Sequence, residues 1–484
     1  MSVRKSMAWS LTGSVGFFVI QFAASVIVAR LLTPAEMGVY AVSLSALMLL
    51  TSFQNLGFQS FLVREERLEP ATRGTVVTMA MAQGAALAAL LYLGAPLLAA
   101  FLDEPRVTHA LRILCLFALL SPVETVAGGL LQRRGRFDLT TLLAFVRVAS
   151  AAGIAVSLAF AGHSYASLSW GASGAQALTA IAALALTGAE LRGRPTLARW
   201  REVWGYGARI LATMSLVNIF ERLPDIVLGR LSGMATVGLY SRASGVVDTF
   251  EAGVLYPVQR VVLKALVDSR DRLGRIDEVY LRTLRAATGL FWPAYAGLAV
   301  LAGPVIVLIY GERWAPAAPV LSLLCVAAII HLSVTSRQEV LIAMGREREL
   351  PRLEALRGSV GLALFTIGAS YGLVPAAAAR VGEALTQHGV YVGRLRDAAG
   401  TSYAALYRCY GTSLAVTLAA IAPALGLMAW HGWSEAVPAG QVLGAVAAGV
   451  LLWLVALFTA RHELCAEISR GWRIVAARTS LGRG

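Results

Sequence analysis

The chain carries little charge for its length. Of its 484 residues only 14% are Asp, Glu, Lys or Arg, whereas 57% are hydrophobic and the mean hydropathy is +0.67. Soluble domains carry about 25% charged residues, so this composition excludes an ordinary soluble fold. It indicates that most of the surface faces lipid or other apolar helices.

Lysine is almost missing, although the net charge is +14. The lysines are Lys5 and Lys264, and the arginines fall mostly between apolar segments. Basic residues concentrated in alternate connectors are typical of the cytoplasmic loops of a membrane protein, so the positive balance argues against a nucleic-acid groove. The alternation predicts that both termini are cytoplasmic.

Motifs of catalysis and metal binding are missing as well. The four cysteines, Cys115, Cys325, Cys409 and Cys465, stand singly in apolar surroundings, which predicts free thiols rather than a metal site or a redox pair. The sequence contains no Walker A loop, no HExxH spacing and no recognisable nucleophile with its base. We therefore expect a protein that is not an enzyme and holds no metal or cofactor.

What the sequence does contain is a series of apolar runs close to the length that spans a bilayer, about 20 residues. They predict an all-α polytopic membrane protein of about 14 transmembrane helices. The first run lacks a small-residue cleavage site before it, so we expect a retained helix rather than a signal peptide. The runs lie near residues 9–32, 39–62, 76–102, 110–131, 139–161, 166–187, 203–231, 237–263, 279–309, 317–343, 353–369, 374–392, 403–430 and 442–459.

Two stretches 200 residues apart resemble each other. Residues 29–41 read ARLLTPAEMGVYA, and residues 229–241 read GRLSGMATVGLYS. Weaker matches follow in the same order, namely Gly94-Ala-Pro with Gly303-Pro-Val, and residues 132–136 with residues 343–347. The chain therefore contains a duplicated unit.

This repeat predicts two pseudo-symmetric six-helix lobes around a central cavity. We expect an N-lobe at residues 1–200, a C-lobe at residues 201–397, and two extra helices with a basic tail at residues 398–484. An even number of spans per repeat relates the lobes by an axis along the membrane normal, and proteins built in this way place the substrate path between the repeats.

Four stretches follow one another in a specific order: RLLTPAEMGVYA (30–41), FQNLGFQSFLVREE (53–66), LLQRRGRFD (130–138) and DIVLGRLSGMATVGLYSRAS (225–244). Together they resemble bacterial polysaccharide exporters, the oligosaccharide-repeat-unit flippases of the multidrug/oligosaccharidyl-lipid/polysaccharide superfamily. The resemblance covers the whole chain. It implies that the protein flips polyprenyl-diphosphate-linked oligosaccharides from the cytoplasmic to the periplasmic leaflet of the bacterial inner membrane by alternating access.

The resemblance leaves the cargo open among O-units of lipopolysaccharide, capsule units and exopolysaccharide units. It implies membrane lipids as surroundings and polysaccharide polymerase and chain-length proteins as partners. A drug or peptidoglycan-precursor exporter of the same superfamily is the first alternative. A membrane-embedded polysaccharide polymerase or ligase is a poorer one, because the predicted periplasmic connectors are too short to hold an acceptor.

Ionisable residues inside apolar runs are the candidates for function, because charge in hydrocarbon is costly and usually faces a partner or a water-filled path. The seventh run holds Glu221, Arg222 and Asp225, and the eighth holds Arg242 followed by Asp248 and Glu251. The four carboxylates are candidates for coupling to protons or sodium. An Arg222–Asp225 ion pair that only holds helices together, and solvated carboxylates in a wet cavity, are the structural alternatives.

Arg147, in the fifth run, is the basic candidate of the first lobe. We expect Arg147, Arg222 and Arg242 to hold the diphosphate, since the guanidinium fork suits phosphate. Whether Arg147 meets the diphosphate or Glu124 of the fourth run stays open at this point. Gln54 and Asn55 offer amides to sugar hydroxyls, with ordinary interhelical hydrogen bonding as the alternative.

Overall fold

The chain is all-α. The computed structural model describes residues 16, 20–52, 57–65, 68–191, 195–251 and 256–460, and every regular element in these ranges is helical. The first half contains α1 (Ile20–Leu31), α2 (Pro34–Ser52), α3 (Phe58–Arg64), α4 (Pro70–Leu102), α5 (Arg106–Arg133), α6 (Phe137–Phe160), α7 (Ala166–Leu191) and α8 (Trp200–Ser232). The second half contains α9 (Met234–Phe250), α10 (Tyr256–Leu273), α11 (Asp277–Val300), α12 (Ala302–Tyr310), α13 (Ala318–Leu332), α14 (Arg337–Ala343), α15 (Leu350–Ser370), α16 (Leu373–Ala399), α17 (Tyr403–Trp430) and α18 (Ala439–Thr459).

Each apolar run of the sequence coincides, within the described ranges, with one helix or with two consecutive helices. Eight helical stretches of the described ranges are long and apolar enough to cross a membrane, one of which is residues 312–343 with α13 and α14, and the pair α11 and α12, bent by 76°, would be a ninth. The more polar helices α8, α15 and α16 are not among these. The fold class is confirmed, and the total of about 14 spans is consistent with the helices but stays a prediction.

The start of α2 follows from the local sequence Thr33-Pro34-Ala35-Glu36. The Thr33 N–H donates to Glu36 Oε2 at 2.7 Å, and the Glu36 N–H donates to Thr33 Oγ1 at 3.3 Å, which is a capping box. Pro34 suits the first helical position because its fixed φ is already helical. Ser164, in the connector between α6 and α7, donates to Glu36 Oε1, the other carboxylate oxygen. This hydrogen bond links the start of α2 to that connector.

The helices form two compact units, residues 1–241 with 369–372, and residues 242–368 with 373–484. In the first unit α5 packs against α4 and α7, α7 packs against α6, and α2 packs along α8. In the second unit α11 packs against α13 and α17, and α13 packs against α16. The lobe boundaries at residues 200 and 397 stay predictions.

Two copies of the repeat end a helix in the same way. Gly135 follows α5 with a φ of 69°, and Gly345 follows α14 with a φ of 70°. In both copies the glycine N–H donates to the carbonyl three residues earlier and the next N–H donates to the carbonyl five residues earlier, at 2.8 to 3.0 Å. Glycine adopts this left-handed conformation without steric cost, so the similarity of residues 132–136 and 343–347 reflects one shared helix ending.

The first turns of α2 and α9 meet at two glycines of the repeat. A Cβ at Gly38 would overlap the Met234 carbonyl, and a Cβ at Gly238 would overlap the Pro34 carbonyl. The two glycines are 200 residues apart, as are Pro34 and Met234, so the contact is reciprocal. Only glycine lets two backbones approach this closely, which gives the matched glycines a packing reason.

Replacing Gly38 or Gly238 by alanine should lower the midpoint of thermal unfolding, because a methyl group forces the two helix starts apart at a cost of about 1–3 kcal/mol. Unfolding in detergent can be followed with a thiol-reactive dye, since Cys325 and Cys409 are only 0% and 2% exposed. Gly245 of α9 is the matched control, because a Cβ built there meets no described atom outside its own helix within 4 Å. An equal decrease of the unfolding midpoint for Gly245→Ala would contradict this explanation.

Candidate functional site

Helix α8 presents three of the predicted site residues. Glu221 is exposed, whereas Arg222 and Asp225 are half-buried. Ser45 of α2, itself buried, donates to Asp225 Oδ2 at 2.5 Å. Helix α8 continues through Pro224, so the proline does not break it. One carboxylate of the predicted coupling set is therefore fixed against α2 by a hydroxyl.

The other predicted residues lie further along the chain. Arg242 is half-buried and Asp248 is exposed on α9, about 9 Å apart along the helix axis, and Glu251 is half-buried at its end. Gln54 and Asn55 lie outside the described residues. Their predicted contact with sugar hydroxyls stays a prediction.

A polar cavity of about 340 Å³ opens in the first unit between α3, α5, α6 and α7. Its size is in the range of roughly 300–1,000 Å³ that small-molecule sites occupy. The lining residues are mostly amides, hydroxyls and charged groups rather than apolar side chains. They are Gln59, Phe117, Ser121, Glu124, Thr125, Gly128, Gln132, Thr140, Leu143, Arg147 and Gln176.

Arg147 of α6 and Glu124 of α5 meet in this cavity. Arg147 Nε lies 3.4 Å from Glu124 Oε1, and Gln176 Nε2 of α7 donates to Glu124 Oε2 at 3.1 Å. The side chains of Arg147 and Glu124 are 44% and 27% exposed, so the pair remains accessible from the cavity. Of the two partners considered from the sequence, Arg147 faces Glu124 in this structure.

The lining residues of α5 form a single stripe. Phe117, Ser121, Glu124, Gly128 and Gln132 follow one another at spacings of three or four residues, which places them on one face of the helix. The stripe is about 22 Å long at about 1.5 Å per residue. The cavity therefore extends from the middle of α5 to its arginine-rich end.

The second unit contains a closed cluster of charges, and none of its members is among the predicted site residues. Glu354 and Glu383 are 4% and 3% exposed, and Arg357 is 8% exposed. Arg357 donates to Glu354 Oε2 at 2.8 Å and also to Glu383. The cluster holds α14, α15 and α16 together through Arg337, Glu354, Arg357, Arg380, Glu383 and Tyr391.

All four carboxylate oxygens of this cluster have donors. Glu354 Oε1 accepts from Arg337 at 3.2 Å and from the Tyr391 hydroxyl at 2.9 Å, while its Oε2 accepts from Arg357. Glu383 accepts from Arg357 on one oxygen and from Arg380 on the other. Buried charges are tolerated when they are paired and fully hydrogen-bonded, so this cluster is a structural clamp.

The two charged sites occupy matching positions in the two copies of the repeat. Arg147 and Arg357 each follow the helix-ending glycine of their copy, Gly135 or Gly345, by 12 residues. Gln176 and Glu383 each lie ten residues after the start of α7 or α16. The two arginines are therefore equivalent, and alignment of the copies would have found Arg357.

The two equivalent sites differ in what they can do chemically. In the second unit a carboxylate at Glu383 closes the cluster around Arg357. In the first unit the neutral Gln176 stands at that place, and Arg147 stays accessible beside Glu124. Nowhere in the described ranges do three or more His, Cys, Asp or Glu side chains gather in a way that could hold a metal ion. The first unit can bind a polar molecule.

The fold and these charges define a multi-pass membrane protein with the fold of solved flippases and multidrug exporters. The structure of the lipid II flippase MurJ in its inward closed conformation matches with a TM-score of 0.76 at 13% identity, covering 94% of this chain and 99% of that one. An inward-facing multidrug resistance transporter of the MATE family in the MOP superfamily matches with a TM-score of 0.64 at 14% identity, covering 80% of this chain and 96% of that one.

The chain belongs to the family described as "Polysaccharide biosynthesis protein", whose model matches residues 27–319. The succinoglycan biosynthesis transport protein ExoT of Rhizobium meliloti (strain 1021) is 27% identical over 67% of this chain. The teichuronic acid biosynthesis protein TuaB of Bacillus subtilis (strain 168) is 22% identical over 60% of this chain. The chain spans 66% and 61% of the length of these two relatives. The family resemblance predicted from the sequence is confirmed, and the expectation of a protein that is not an enzyme agrees with it.

Glu383→Leu should lower the unfolding midpoint strongly, because it removes a buried carboxylate that both Arg357 and Arg380 bind and leaves Glu354 as the carboxylate on Arg357, and breaking a buried pair costs about 3–5 kcal/mol. The double variant Arg357→Met, Glu383→Leu removes both charges of one pair. Its unfolding midpoint should decrease less than that of Glu383→Leu alone. Asp277→Asn is the control, since Arg275 of that pair is 66% exposed and such pairs contribute about 0–1 kcal/mol. A double variant as unstable as Glu383→Leu would contradict charge compensation.

Proposed function

We propose that the protein flips polyprenyl-diphosphate-linked oligosaccharide repeat units from the cytoplasmic to the periplasmic leaflet of the bacterial inner membrane. The units would serve the assembly of lipopolysaccharide O-units, capsule or exopolysaccharide. Both termini would be cytoplasmic, and the two repeats would alternate in opening the path to either side of the membrane. Polysaccharide polymerase and chain-length proteins would act on the delivered units.

The observation that carries the proposal is a polar cavity with an accessible ion pair among apolar helices, in a member of a polysaccharide biosynthesis family. Charge within a membrane-spanning segment is costly and is kept where it serves a path or a ligand. A lipid-linked oligosaccharide needs such a polar path for its diphosphate and sugars, whereas its polyprenyl chain can stay in the bilayer.

Arg147, Arg222 and Arg242 are the arginines that we propose for contact with the cargo. Arg147 already faces Glu124, so its positive charge is partly compensated. A guanidinium stays charged and binds phosphate through two parallel hydrogen bonds, which suits a pyrophosphate bridge. Gln54 and Asn55 would add amides for sugar hydroxyls.

Glu221, Asp225, Asp248 and Glu251 are the carboxylates that we propose for coupling to a proton or sodium gradient. Asp225 is the best placed of them, since the hydrogen bond from Ser45 connects it to α2. A change in its protonation or ion binding would alter how α2 and α8 hold together. Uphill transport requires a linkage of this kind between an ion site and a moving element.

The decisive experiment measures the leaflet in which lipid-linked repeat units are accessible in cells with and without this protein. Accumulation on the cytoplasmic side in its absence is expected, and re-expression should restore periplasmic exposure. Normal periplasmic exposure without the protein would contradict the proposal. That outcome would favour a drug or peptidoglycan-precursor exporter. Repeat units that reach the periplasmic leaflet normally but are not polymerised would favour a polymerase or ligase.

Arg222→Ala should reduce periplasmic delivery about tenfold or more while the protein stays in the membrane, because hydrogen bonds to charged groups contribute about 1.5–3 kcal/mol. Arg222→Lys should recover only part of the activity, since it keeps the charge but loses the fork. Arg230→Ala is the control on the same helix, where the Arg230 guanidinium lies 5.8 Å from the Phe101 ring. Full complementation by Arg222→Ala would remove Arg222 from the site.

Neutralising Asp225, Asp248 and Glu251 together, as Asn, Asn and Gln, should abolish the dependence of transport on the ion gradient. Asp225→Asn alone tests the best-placed group, because an amide oxygen can still accept from Ser45 while the titratable charge is gone. Transport in reconstituted vesicles, with and without an imposed proton or sodium gradient, is the measurement. Gradient-driven transport that survives the triple change would exclude these groups from coupling.

A further inference from the structure

The cavity of the first unit is suited to uncharged hydroxyl groups. Of the side chains that line it, Glu124 and Arg147 carry charge, and these two compensate each other at 3.4 Å. Amides and hydroxyls side by side supply both donors and acceptors, as the hydroxyls of a sugar ring require. These neutral polar residues are Gln59, Gln132, Gln176, Ser121, Thr125 and Thr140.

Gln176 provides the second observation. Its side chain is 0% exposed, and its Nε2 donates to Glu124. Its Oε1 is buried and has no hydrogen-bond partner among the described residues. Buried acceptors are nearly always satisfied in folded proteins, so an unsatisfied acceptor at the wall of a cavity calls for a donor from a molecule inside it. A sugar hydroxyl is such a donor.

A diphosphate fits this cavity poorly. Phosphate oxygens only accept hydrogen bonds when ionised, so they cannot satisfy Gln176 Oε1. They would also stand beside the Glu124 carboxylate, which repels them, while the charge of Arg147 is already compensated. The electrostatics therefore separate this cavity from the part of the path that carries the diphosphate.

The second repeat has a carboxylate at the place equivalent to Gln176. At the equivalent place Glu383 draws Arg357 and Arg380 into a closed cluster. The first repeat has the amide of Gln176 there and Ala144 at the place of Glu354, and its cavity stays open over about 22 Å of α5, enough for more than one ring of an oligosaccharide.

We infer that the cavity between α3, α5, α6 and α7 is a glycan subsite. It takes uncharged sugars of the cargo through hydroxyls that donate to Gln176 Oε1 and to Glu124, while the diphosphate binds elsewhere. This inference rests on the proposed function and specifies which part of the cargo this cavity meets. Selectivity for the glycan then resides in the first repeat.

The test compares two probes on the full-length protein in lipid nanodiscs. One probe is the lipid-linked oligosaccharide fraction extracted from host cells that lack the protein, and the other is undecaprenyl diphosphate without sugar. The wild-type protein should bind the glycosylated lipid about tenfold or more tightly than the bare diphosphate, because the sugar adds several hydrogen bonds to buried groups. Equal affinity for the two probes would overturn the glycan subsite.

Two variants then assign the preference to the cavity. Gln176→Leu should weaken binding of the glycosylated lipid about fivefold or more and leave the bare diphosphate within about twofold. Glu124→Gln leaves the positive charge of Arg147 uncompensated. The affinity for undecaprenyl diphosphate should therefore increase and become more sensitive to salt. Thr179→Val is the control, because Thr179 is buried on α7, bonds to the Ala175 carbonyl, and does not line the cavity.

The outcomes separate the subsite from the flippase. If Gln176→Leu weakens both probes equally, the cavity is not a glycan subsite, although the protein can still be a flippase. If the wild-type protein binds neither probe, the proposed function itself fails. Should Gln176→Leu not fold, the comparison of the two probes on the wild-type protein still decides, because equal affinity for both overturns the subsite.

Discussion

The cost of placing a charge among apolar helices governs the interior of this protein. An arginine in such surroundings needs a carboxylate and a full set of hydrogen-bond acceptors, or access to water. Arg357 meets the first condition through Glu354 and Glu383, and the closed cluster that results holds three helices together. Arg147 meets the second condition, because its pair with Glu124 lies at the wall of an open cavity.

Duplication followed by divergence explains why both solutions occur in one chain. Arg147 and Arg357 stand at equivalent places in the two copies, after the same helix-ending glycine. The copies differ at Gln176 and Glu383, where an amide stands in one repeat and a carboxylate in the other, and also at Ala144 and Glu354, where the first repeat has no carboxylate. Several changes in charge therefore separate a closed cluster in one copy from an open cavity in the other.

The same duplication is visible where α2 and α9 begin. Gly38 and Gly238 each face a carbonyl of the other helix start, so a side chain at either position would overlap the backbone of the other copy. The capping box of Thr33 and Glu36 fixes the direction of α2 at this contact. Ser164 links Glu36 to the connector between α6 and α7. Backbone packing at this point and charge compensation at Arg147 and Arg357 are thus two separate constraints on the same repeat.

The sequence by itself determined the all-α membrane class, the helical segments and the repeat. These features depend on the length of apolar runs and on local conformations such as the left-handed glycines at Gly135 and Gly345, and such properties act within a few residues. Only the tertiary structure decided that Arg147 faces Glu124 and that Arg357 is enclosed. Those pairings join different helices, and the rotation and packing of each helix about its neighbours, which no local pattern specifies, bring the charges together.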